Sequence, residues 1–390
     1  MTFVSDKINT LPPYLFSEFQ KKKKELEKKG VDVIDLGIGA PDLPTPDFVI
    51  DRLTKEARNP LNHRYSTYSG TQEFKQAVAD FYMTHYGVEL DPNTEVLALI
   101  GSKEGIANLV QAVINPGDTV LIPNPGYPVY RTAVHLAGGN SIDLPLDASN
   151  GYQPLLDQVS KEDSESAKLM FLNYPSNPTA ATVDLNVFLK AVSYAESNNI
   201  IVANDAAYDL VTFKDYKAPS ILQVPDAREY AVEFGSLSKS FNMTGWRIGY
   251  LVGNKTVIKA LSTLKSNIDT CQFLPIQLAA ATALKSDLKS VETNNLVYLE
   301  RMEKLHEALN QIGLQAEKPK GTIFIWAKVP KGYTSASFAG QMLDKAGVIV
   351  TPGSAFGSVG EGYIRIALSV TSDRLNEVIK RFKSMSYTLG

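Results

Sequence analysis

Apolar residues in the middle of the chain are spaced as in helices and strands that alternate. Residues 106–113 place apolar side chains at i, i+3, i+4 and i+7, the spacing that lines one face of a helix. The turn-forming residues 115–118 end this helix, and the apolar run 120–122 follows directly. This order predicts a helix that leads into a buried strand.

The same alternation continues downstream. Apolar runs at 169–172, 200–203, 231–234 and 248–252 predict short buried strands, and residues 185–192 repeat the helical spacing between the first two. Strands that are apolar on both faces and alternate with helices are typical of an α/β domain with a mainly parallel, helix-covered sheet. In such domains ligands bind at the carboxyl ends of the strands.

The pattern changes after about residue 284. A long polar helix is predicted over 291–309, strands over 322–326 and 363–368, and an amphipathic helix near the C-terminus over 375–382. These elements predict a smaller α+β unit.

We therefore expect an α/β protein with a large and a small domain. The expected division has an N-terminal segment, 1–45, that packs with the small domain, a large cofactor-binding domain, 46–284, and a small C-terminal domain, 285–390.

Composition and charge indicate chemistry on small molecules. The 390 residues are 44% apolar, and 39 basic residues against 42 acidic ones give a formal net charge of −3. This balance lacks the basic field that draws proteins onto nucleic acid or anionic membranes. No apolar run approaches the roughly 20 residues of a membrane-spanning helix. We expect no nucleic-acid or membrane partner.

Cysteine and histidine content excludes other classes. Cys271 is the single cysteine and the four histidines are scattered, so we expect neither an intrachain disulfide nor a metal site. Residues 1–16 contain no apolar stretch of the kind found in signal peptides. A cytoplasmic location is expected.

One segment has the residues for a specific chemistry. Residues 236–250 read S-L-S-K-S-F-N-M-T-G-W-R-I-G-Y, with Lys239 just past a predicted strand and Arg247 eight residues later. A lone lysine at a strand end is ordinarily a surface charge. A lysine of lowered pKa can form a Schiff base with a carbonyl, however, and hydroxyl groups with an arginine suit a phosphate dianion. Together they indicate a pocket for a phosphorylated aldehyde.

This segment resembles the cofactor-lysine signature, S-x-S-K followed by G-x-R-x-G-[YW], of fold-type I, pyridoxal-phosphate-dependent aminotransferases of class I/II. The resemblance extends over nearly the whole chain and keeps the family's order. The other matching segments are 36–42, 65–70, 101–105, 124–128, 173–179, 204–208 and 363–365. The resemblance implies a transferase of amino-acid metabolism whose cofactor is pyridoxal 5′-phosphate.

By this resemblance, Lys239, Asp205 and Tyr208 are the catalytic residues. Lys239 would hold the cofactor and, once displaced by substrate, would move a proton as base and acid. Asp205 would pair with the pyridine nitrogen, although a carboxylate after a strand also serves as a helix cap. Tyr208 and Asn177 would hydrogen-bond the phenolic oxygen of the cofactor, although Asn-Pro is also an ordinary turn marker.

The resemblance also implies how phosphate and substrate are bound. The cofactor phosphate would be held by Ser236, Ser238, Arg247, the backbone N–H groups of Ser102 and Lys103, and Tyr65 of the neighbouring subunit. Tyr65 thus implies a homodimer with shared active sites. Tyr127 would stack on the pyridine ring, with packing of a proline-rich turn as its alternative role. Arg365 would bind the substrate α-carboxylate, with Asn177 and the backbone of Gly39 also at the substrate.

The sequence departs from the family at Ala180, where glycine usually follows Pro-Thr. If this position requires a positive φ, alanine is strained there.

Two other classes of protein, dinucleotide-binding enzymes and non-catalytic regulators, match the sequence less well. A dinucleotide-binding fingerprint starting at Gly37 would need a third glycine where Asp42 stands. A non-catalytic regulator with this fold would need room for a DNA-binding module. Carbon–sulfur β-lyases share the fold and the cofactor residues, so they stay open as an alternative activity.

The substrate expectation rests on a narrower resemblance. Four segments look like those of bacterial LL-diaminopimelate aminotransferases: 11–16, 30–46, 62–65 and 101–105. Aspartate, alanine and aromatic aminotransferases share much of the sequence of these segments. No second arginine lies in a motif for the distal carboxylate of aspartate or glutamate. We therefore expect LL-diaminopimelate as amino donor and 2-oxoglutarate as acceptor.

Overall fold

The protein is described by a computed structural model that covers residues 3–11 and 15–384. Residues 12–14, part of the segment 11–16, lie outside the described residues. The strands are β1 (Ile34–Asp35), β2 (Val96–Leu99), β3 (Thr119–Asn124), β4 (Asn140–Pro145), β5 (Ala167–Leu172), β6 (Ile201–Asp205), β7 (Ala231–Ser236), β8 (Gly249–Gly253), β9 (Phe324–Lys328), β10 (Val348–Ile349), β11 (Thr351–Pro352) and β12 (Tyr363–Ala367).

The helices range from single turns to the long helix that was predicted over 291–309. They are α1 (Asp6–Asn9), α2 (Leu15–Lys28), α3 (Asp47–Ala57), α4 (Gln72–Tyr86), α5 (Ser102–Val113), α6 (Val129–Ala137), α7 (Lys161–Ser166), α8 (Leu185–Asn198), α9 (Ala227–Tyr230), α10 (Leu237–Ser240), α11 (Lys255–Ser266), α12 (Leu274–Leu284), α13 (Lys289–Gln311), α14 (Ser335–Ala346) and α15 (Ser372–Ser384). Within the described residues, none of these helices has the length and apolarity needed to cross a membrane.

A large central sheet confirms the predicted α/β architecture. Its strand order, in the described part of the chain, is β2-β8-β7-β6-β5-β3-β4. Strands β4, β3, β5, β6 and β7 pair in parallel, whereas β8 runs antiparallel to both β7 and β2. The sheet is therefore mainly parallel, with one reversed strand that the apolar run 248–252 did not indicate.

Both faces of this sheet are covered, because successive strand residues pack into different apolar clusters. In β5, Met170 joins one cluster with Phe74 and Phe188, whereas Phe171 joins the other with Leu109. Helices α4, α8 and α12 cover the first face, and α5, α6 and α11 the second. This burial on both sides explains the continuous apolar runs in the strands.

The C-terminal unit is built on the antiparallel sheet β11-β12-β9 and on helices α13, α14 and α15. The N-terminal segment packs on it: β1 pairs in parallel with β10, and the Ala367 N–H group donates to Leu36 O at 2.8 Å. The buried Arg301 binds both carboxylate oxygens of Asp42, at 2.7 and 3.0 Å. These contacts place the N-terminal segment on the C-terminal unit, and the division of the chain at residues 45 and 284 stays a prediction.

The two units meet where the parallel strands end. β6 ends at Asp205 and β7 at Ser236, and α10 starts directly after β7. The carboxyl ends of these strands therefore face β9 and β12 of the small unit, and the polar residues predicted for the site are brought to this edge.

Candidate active site

A cavity of about 360 Å³ lies between the strand ends of the large unit and the sheet of the small unit. Its volume lies within the range typical of small-molecule sites. Of the residues predicted for the site, those that line it are Gly39, Ser102, Lys103, Tyr127, Asn177, Asp205, Tyr208, Ser236, Ser238, Lys239, Arg247 and Arg365. Tyr65 is not among them, and its side chain is 89% exposed. The structure thus brings all of these positions except Tyr65 together in a single chain.

Lys239 reaches the centre of this cavity from α10. Its Nζ donates a hydrogen bond to Gly39 O at 2.6 Å and lies 5.7 Å from the ring centroid of Tyr208. Burial, followed by the positive charges of Arg365 and Arg247, lowers the pKa of the Lys239 amine to about 8. Asp205 opposes this shift. A large fraction of the amine is therefore neutral near pH 8, the form that can act as nucleophile or base.

Asp205 is the last residue of β6, and its two carboxylate oxygens differ in hydrogen bonding. Its Oδ2 accepts a hydrogen bond from the Tyr130 hydroxyl at 2.8 Å. Its Oδ1 is buried and has no hydrogen-bond partner among the described residues. Burial raises the pKa of Asp205 to about 6, against the effects of Tyr130, the Ala207 backbone and Lys239. The carboxylate lacks a cationic hydrogen-bond donor, and a protonated ring nitrogen would supply one.

The opposite end of the cavity is suited to an anion. Ser102 begins α5, whose N-terminal N–H groups and dipole favour negative charge. The Arg247 guanidinium packs closely over Gly101: a Cβ atom at Gly101 would lie 2.3 Å from Arg247 Nη2. Arg247 adopts a left-handed conformation with φ of 55° and donates to Thr244 O at 2.9 Å. Ser236, Ser238 and Lys103 line the same region.

Arg365 points from β12 into the cavity with its fork already oriented. Its Nη1 donates to Asn177 Oδ1 and its Nη2 to Gly37 O, both at 2.6 Å. The guanidinium carbon lies 4.2 Å from the ring centroid of Phe324 and 4.8 Å from that of Phe356. These contacts orient the guanidinium in the cavity, and a cationic fork of this kind suits a carboxylate.

Asparagine side chains connect these groups. The Asn177 N–H group donates to Asn173 Oδ1 at 2.7 Å, and Asn173 Nδ2 donates to the backbone oxygen of Asp205 at 2.6 Å. Asn177 is therefore fixed relative to both Asp205 and Arg365. Tyr208 packs edge to face on Phe324, with ring centroids 5.5 Å apart, and burial raises its pKa.

The sequence analysis did not identify Tyr130, Asn173 and Phe324 as parts of the site. Tyr130 lies three residues after Tyr127, a helical spacing that could have indicated a shared face; the two rings pack edge to face at 5.8 Å. Phe324 explains why residue 39 is glycine, because a Cβ atom there would lie 2.4 Å from the phenylalanine ring. No sequence signal links Phe324 to Gly39, since they come from distant segments.

Ala180 has a φ of 57°, in the left-handed region. The condition stated for strain at this position is therefore met.

The residues present fit pyridoxal phosphate. The buried Asp205 Oδ1 lacks a donor, an amine of lowered pKa lies in the same cavity, and an arginine with a helix N-terminus lies at the anion-binding end. The fold and this site define a fold-type I aminotransferase.

Comparison with known proteins leads to the same class of enzyme. A family model described as aminotransferase class I and II matches residues 31–382. The LL-diaminopimelate aminotransferase of Moorella thermoacetica is 51% identical over 377 residues, 97% of each chain, and that of Syntrophobacter fumaroxidans is 48% identical over 388 residues, 99% of this chain and 100% of the relative. Substrate-bound BacF from Bacillus subtilis is 37% identical with a TM-score of 0.96, covering 100% of this chain and 99% of that one. The chain belongs to the aminotransferase class I and II family and is a transaminase.

Proposed function

We propose that this transaminase uses pyridoxal phosphate to move an amino group from LL-diaminopimelate to 2-oxoglutarate. The observation that carries the cofactor proposal is the buried Asp205 Oδ1, which has no hydrogen-bond partner within the described part of the chain and lies in the cavity that also holds the Lys239 amine. The observation that carries the donor proposal is the 51% identity, over 97% of both chains, to an LL-diaminopimelate aminotransferase.

Different residues of the chain would bind different parts of the cofactor. Asp205 Oδ1 would accept a hydrogen bond from the ring nitrogen, and Tyr130 would keep the other oxygen in place. Tyr127 would stack on the ring, and Tyr208 with Asn177 would bind its phenolic oxygen. The phosphate would be held by Ser102, Lys103, Ser236, Ser238 and Arg247. When bound, pyridoxal phosphate supplies an electron sink for the carbanion formed at the substrate Cα.

Lys239 and Arg365 would act on the substrate. Arg365 would bind the α-carboxylate with its guanidinium fork and so orient Cα toward Lys239. The Lys239 amine would take the proton from the substrate Cα and return it at C4′ of the cofactor, on the other side of the amino nitrogen. A pKa lowered to about 8 suits both steps, because a group that accepts and then donates a proton works best with a pKa near the operating pH.

The cationic side chains that line the cavity also restrict which amino-donor substrate it can bind. They are Lys103, Lys239, Arg247 and Arg365. Arg247, Lys239 and Arg365 would serve the phosphate, Cα and the α-carboxylate, and among the described residues no third arginine lines the cavity for a distal carboxylate. LL-diaminopimelate has a zwitterionic far end, which hydrogen bonds and mixed charges can hold. A strict dicarboxylate donor would need a further strong cation.

We also propose a homodimer with shared active sites and a cytoplasmic location. Tyr65 is 89% exposed, and the nearby apolar side chains of Leu61, Tyr68 and Phe273 are also exposed, which supports a covered surface in a dimer. The single cysteine, Cys271, is buried and free, which is compatible with a reducing compartment.

A panel of amino donors with 2-oxoglutarate tests this function. We expect kcat/KM for LL-diaminopimelate to exceed that for aspartate by at least about tenfold, or roughly 1.4 kcal/mol of differential transition-state binding. The Lys239→Ala variant, without visible cofactor absorbance or turnover, is the inactive control. Equal or better use of aspartate, alanine or an aromatic amino acid would refute the donor. Dominant release of pyruvate and ammonia from a cysteine conjugate would instead favour a carbon–sulfur lyase.

A further inference from the structure

Two buried glutamines lie behind the anion-binding end of the cavity. Gln272 lies between α11 and α12, and Gln277 lies within α12; their side chains are 7% and 0% exposed. Neither residue lines the cavity. A buried carboxamide must have its donors and acceptor satisfied, and the partners of these two are backbone and side-chain groups of the segments around the phosphate end.

Gln272 ties two of these segments together with one NH₂ group. Its Nε2 donates to Leu99 O, at the end of β2, and to Arg247 O at 2.9 Å. Leu99 comes three residues before Ser102, the start of α5. The segment that presents the α5 N-terminus and the segment that presents the Arg247 guanidinium are joined by the pairing of β2 with β8, in which Leu99 lies opposite Gly249. The Gln272 side chain adds a second connection at the end of this ladder, directly beside Arg247.

This connection matters because both segments have unusual local geometry. Gly101 has a φ of 80° and Arg247 a φ of 55°. The Arg247 guanidinium packs so closely against Gly101 that a Cβ atom there would require the guanidinium to move. Apolar residues of the same length would fill the space of Gln272 but would leave both carbonyl oxygens without this donor.

Gln277 extends the connection to the segment beside Tyr65. Its Nε2 donates to Gln272 O and to Ser66 Oγ, both at 2.8 Å, and its Oε1 accepts from the Thr71 N–H group at 2.7 Å. Ser66 directly follows Tyr65. The segment that follows the residue proposed to serve the neighbouring subunit is thus held by the Gln277 side chain, which also binds the backbone of Gln272.

We propose that Gln272 and Gln277 are positioning residues for the cofactor phosphate, Gln272 for the site of its own subunit and Gln277, through Tyr65, for the site of the other subunit. The proposal rests on the proposed function, since it requires pyridoxal phosphate and a dimer. It also implies that the two active sites of a dimer are linked through these glutamines.

The first experiment titrates the apoenzyme separately with pyridoxal phosphate and with pyridoxal, which lacks the phosphate. We expect Gln272→Met to weaken pyridoxal phosphate binding by about tenfold or more, because two buried carbonyls lose their donor. Pyridoxal binding should stay unchanged, since it does not use the phosphate end. Gln223→Met is the control for loss of a glutamine side chain: the exposed Gln223 also donates to a backbone carbonyl, Tyr86 O, and is not among the residues that line the cavity.

The second experiment places Gln277→Met in one subunit of a hybrid dimer in which a single subunit retains Lys239. Borohydride trapping of the cofactor on that lysine, read by mass spectrometry, reports its site alone. We expect weaker trapping at low cofactor concentration when Gln277→Met is in the subunit that carries Lys239→Ala. For Gln272→Met the weaker trapping should instead follow the subunit that retains Lys239.

The two experiments have outcomes that would overturn the roles proposed for Gln272 and Gln277. Equal loss of pyridoxal and pyridoxal phosphate binding, or no loss beyond that of Gln223→Met, would overturn the role of Gln272. A Gln277→Met effect confined to its own subunit would overturn the link between sites. Failure of the unsubstituted apoenzyme to bind pyridoxal phosphate would instead refute the proposed function and is visible before any variant is made.

Discussion

Burial acts in opposite directions on the two principal ionisable groups of the cavity. It lowers the pKa of Lys239 to about 8 and raises that of Asp205 to about 6, so the charged form of each is disfavoured in the protein alone. The two positive arginines add to the shift of Lys239. A bound cofactor with a protonated ring nitrogen and an anionic phosphate would compensate both Asp205 and Arg247.

The shifted lysine can be measured directly. In the apoenzyme we expect the rate of reductive methylation of Lys239 to be half-maximal near pH 8, since only the neutral amine reacts. The unfolded chain, with the ordinary lysine pKa, binds more protons between about pH 8 and 10.5, so this group makes stability rise with pH in that window. Peptide mass spectrometry across pH gives the profile.

A charge-matched pair provides the control for this profile. Arg365→Gln removes one cause of the lowered pKa and should move the midpoint to higher pH, whereas Arg365→Lys keeps the charge and should move it less. A midpoint near pH 10 in the unsubstituted protein would contradict the shift.

Asp205 carries a separate prediction. Asn at position 205 keeps the shape but cannot stabilise a protonated ring nitrogen, so Asp205→Asn should retain the cofactor while kcat falls by about a thousandfold, or roughly 4 kcal/mol. Tyr130→Phe is the control, because it removes the donor to Oδ2 and leaves Oδ1 untouched; its loss should be smaller. Unchanged turnover in Asp205→Asn would place the electron sink elsewhere.

At the scale of elements, apolar runs located most strands of the large sheet but not their direction. The run 248–252 corresponds to β8 (Gly249–Gly253), which is antiparallel to its neighbours. A strand buried on both faces has the same apolar composition in either direction, so direction depends on connections that the run does not contain. The pairing of β1 with β10 joins segments more than 300 residues apart, and its strands of two residues carry no periodic signal.

The motifs located most of the segments that form the cavity. The predicted residues that line it come from seven separated motif segments, whereas Phe324, which also lines it, lies in none of them. The roles of these residues stay predictions. What the motifs did not contain are the supporting contacts, such as Tyr130 on Asp205 and Phe324 under Arg365. These depend on packing between elements, which a single sequence does not specify.

The loop after Asn177 provides a prediction at this scale. Ala180 has a left-handed conformation, which raises the free energy of the folded state by about 1–2 kcal/mol for a non-glycine residue. Ala180→Gly relieves this strain but loses a buried methyl group and adds unfolded-state freedom. We therefore expect it to be less destabilising than Ala181→Gly, whose φ is not positive, by about 1 kcal/mol. Urea unfolding of both apoenzyme variants provides the comparison; equal destabilisation would show that Ala180 is not strained.

At the scale of the whole molecule, one chain brings all of the predicted site residues except Tyr65 to the cavity. Lys239 and Arg365 line the same cavity although they come from different units of the chain. The substrate binding proposed for Arg365 and the proton transfer proposed for Lys239 would therefore both depend on the position of the small unit on the large one. The N-terminal segment helps to fix this arrangement, because it pairs with the small unit and its Gly39 accepts a hydrogen bond from Lys239.

This arrangement predicts which inactive variants can restore each other's activity. In a hybrid of Lys239→Ala and Tyr65→Ala subunits, one site has both defects and the other has an intact Lys239 with an intact Tyr65 from the opposite subunit. Random mixing of equal amounts should then recover about a quarter of the unsubstituted activity, as expected for a two-fold symmetric dimer. In a hybrid of Lys239→Ala and Arg365→Ala, each site lacks one residue of its own chain, and no recovery is expected. Activity assays after subunit exchange, with sedimentation to verify the dimer, test both pairs. Recovery with Arg365→Ala would mean that the small unit of one chain serves the large unit of the other, and a monomer with full activity would rule out the shared site.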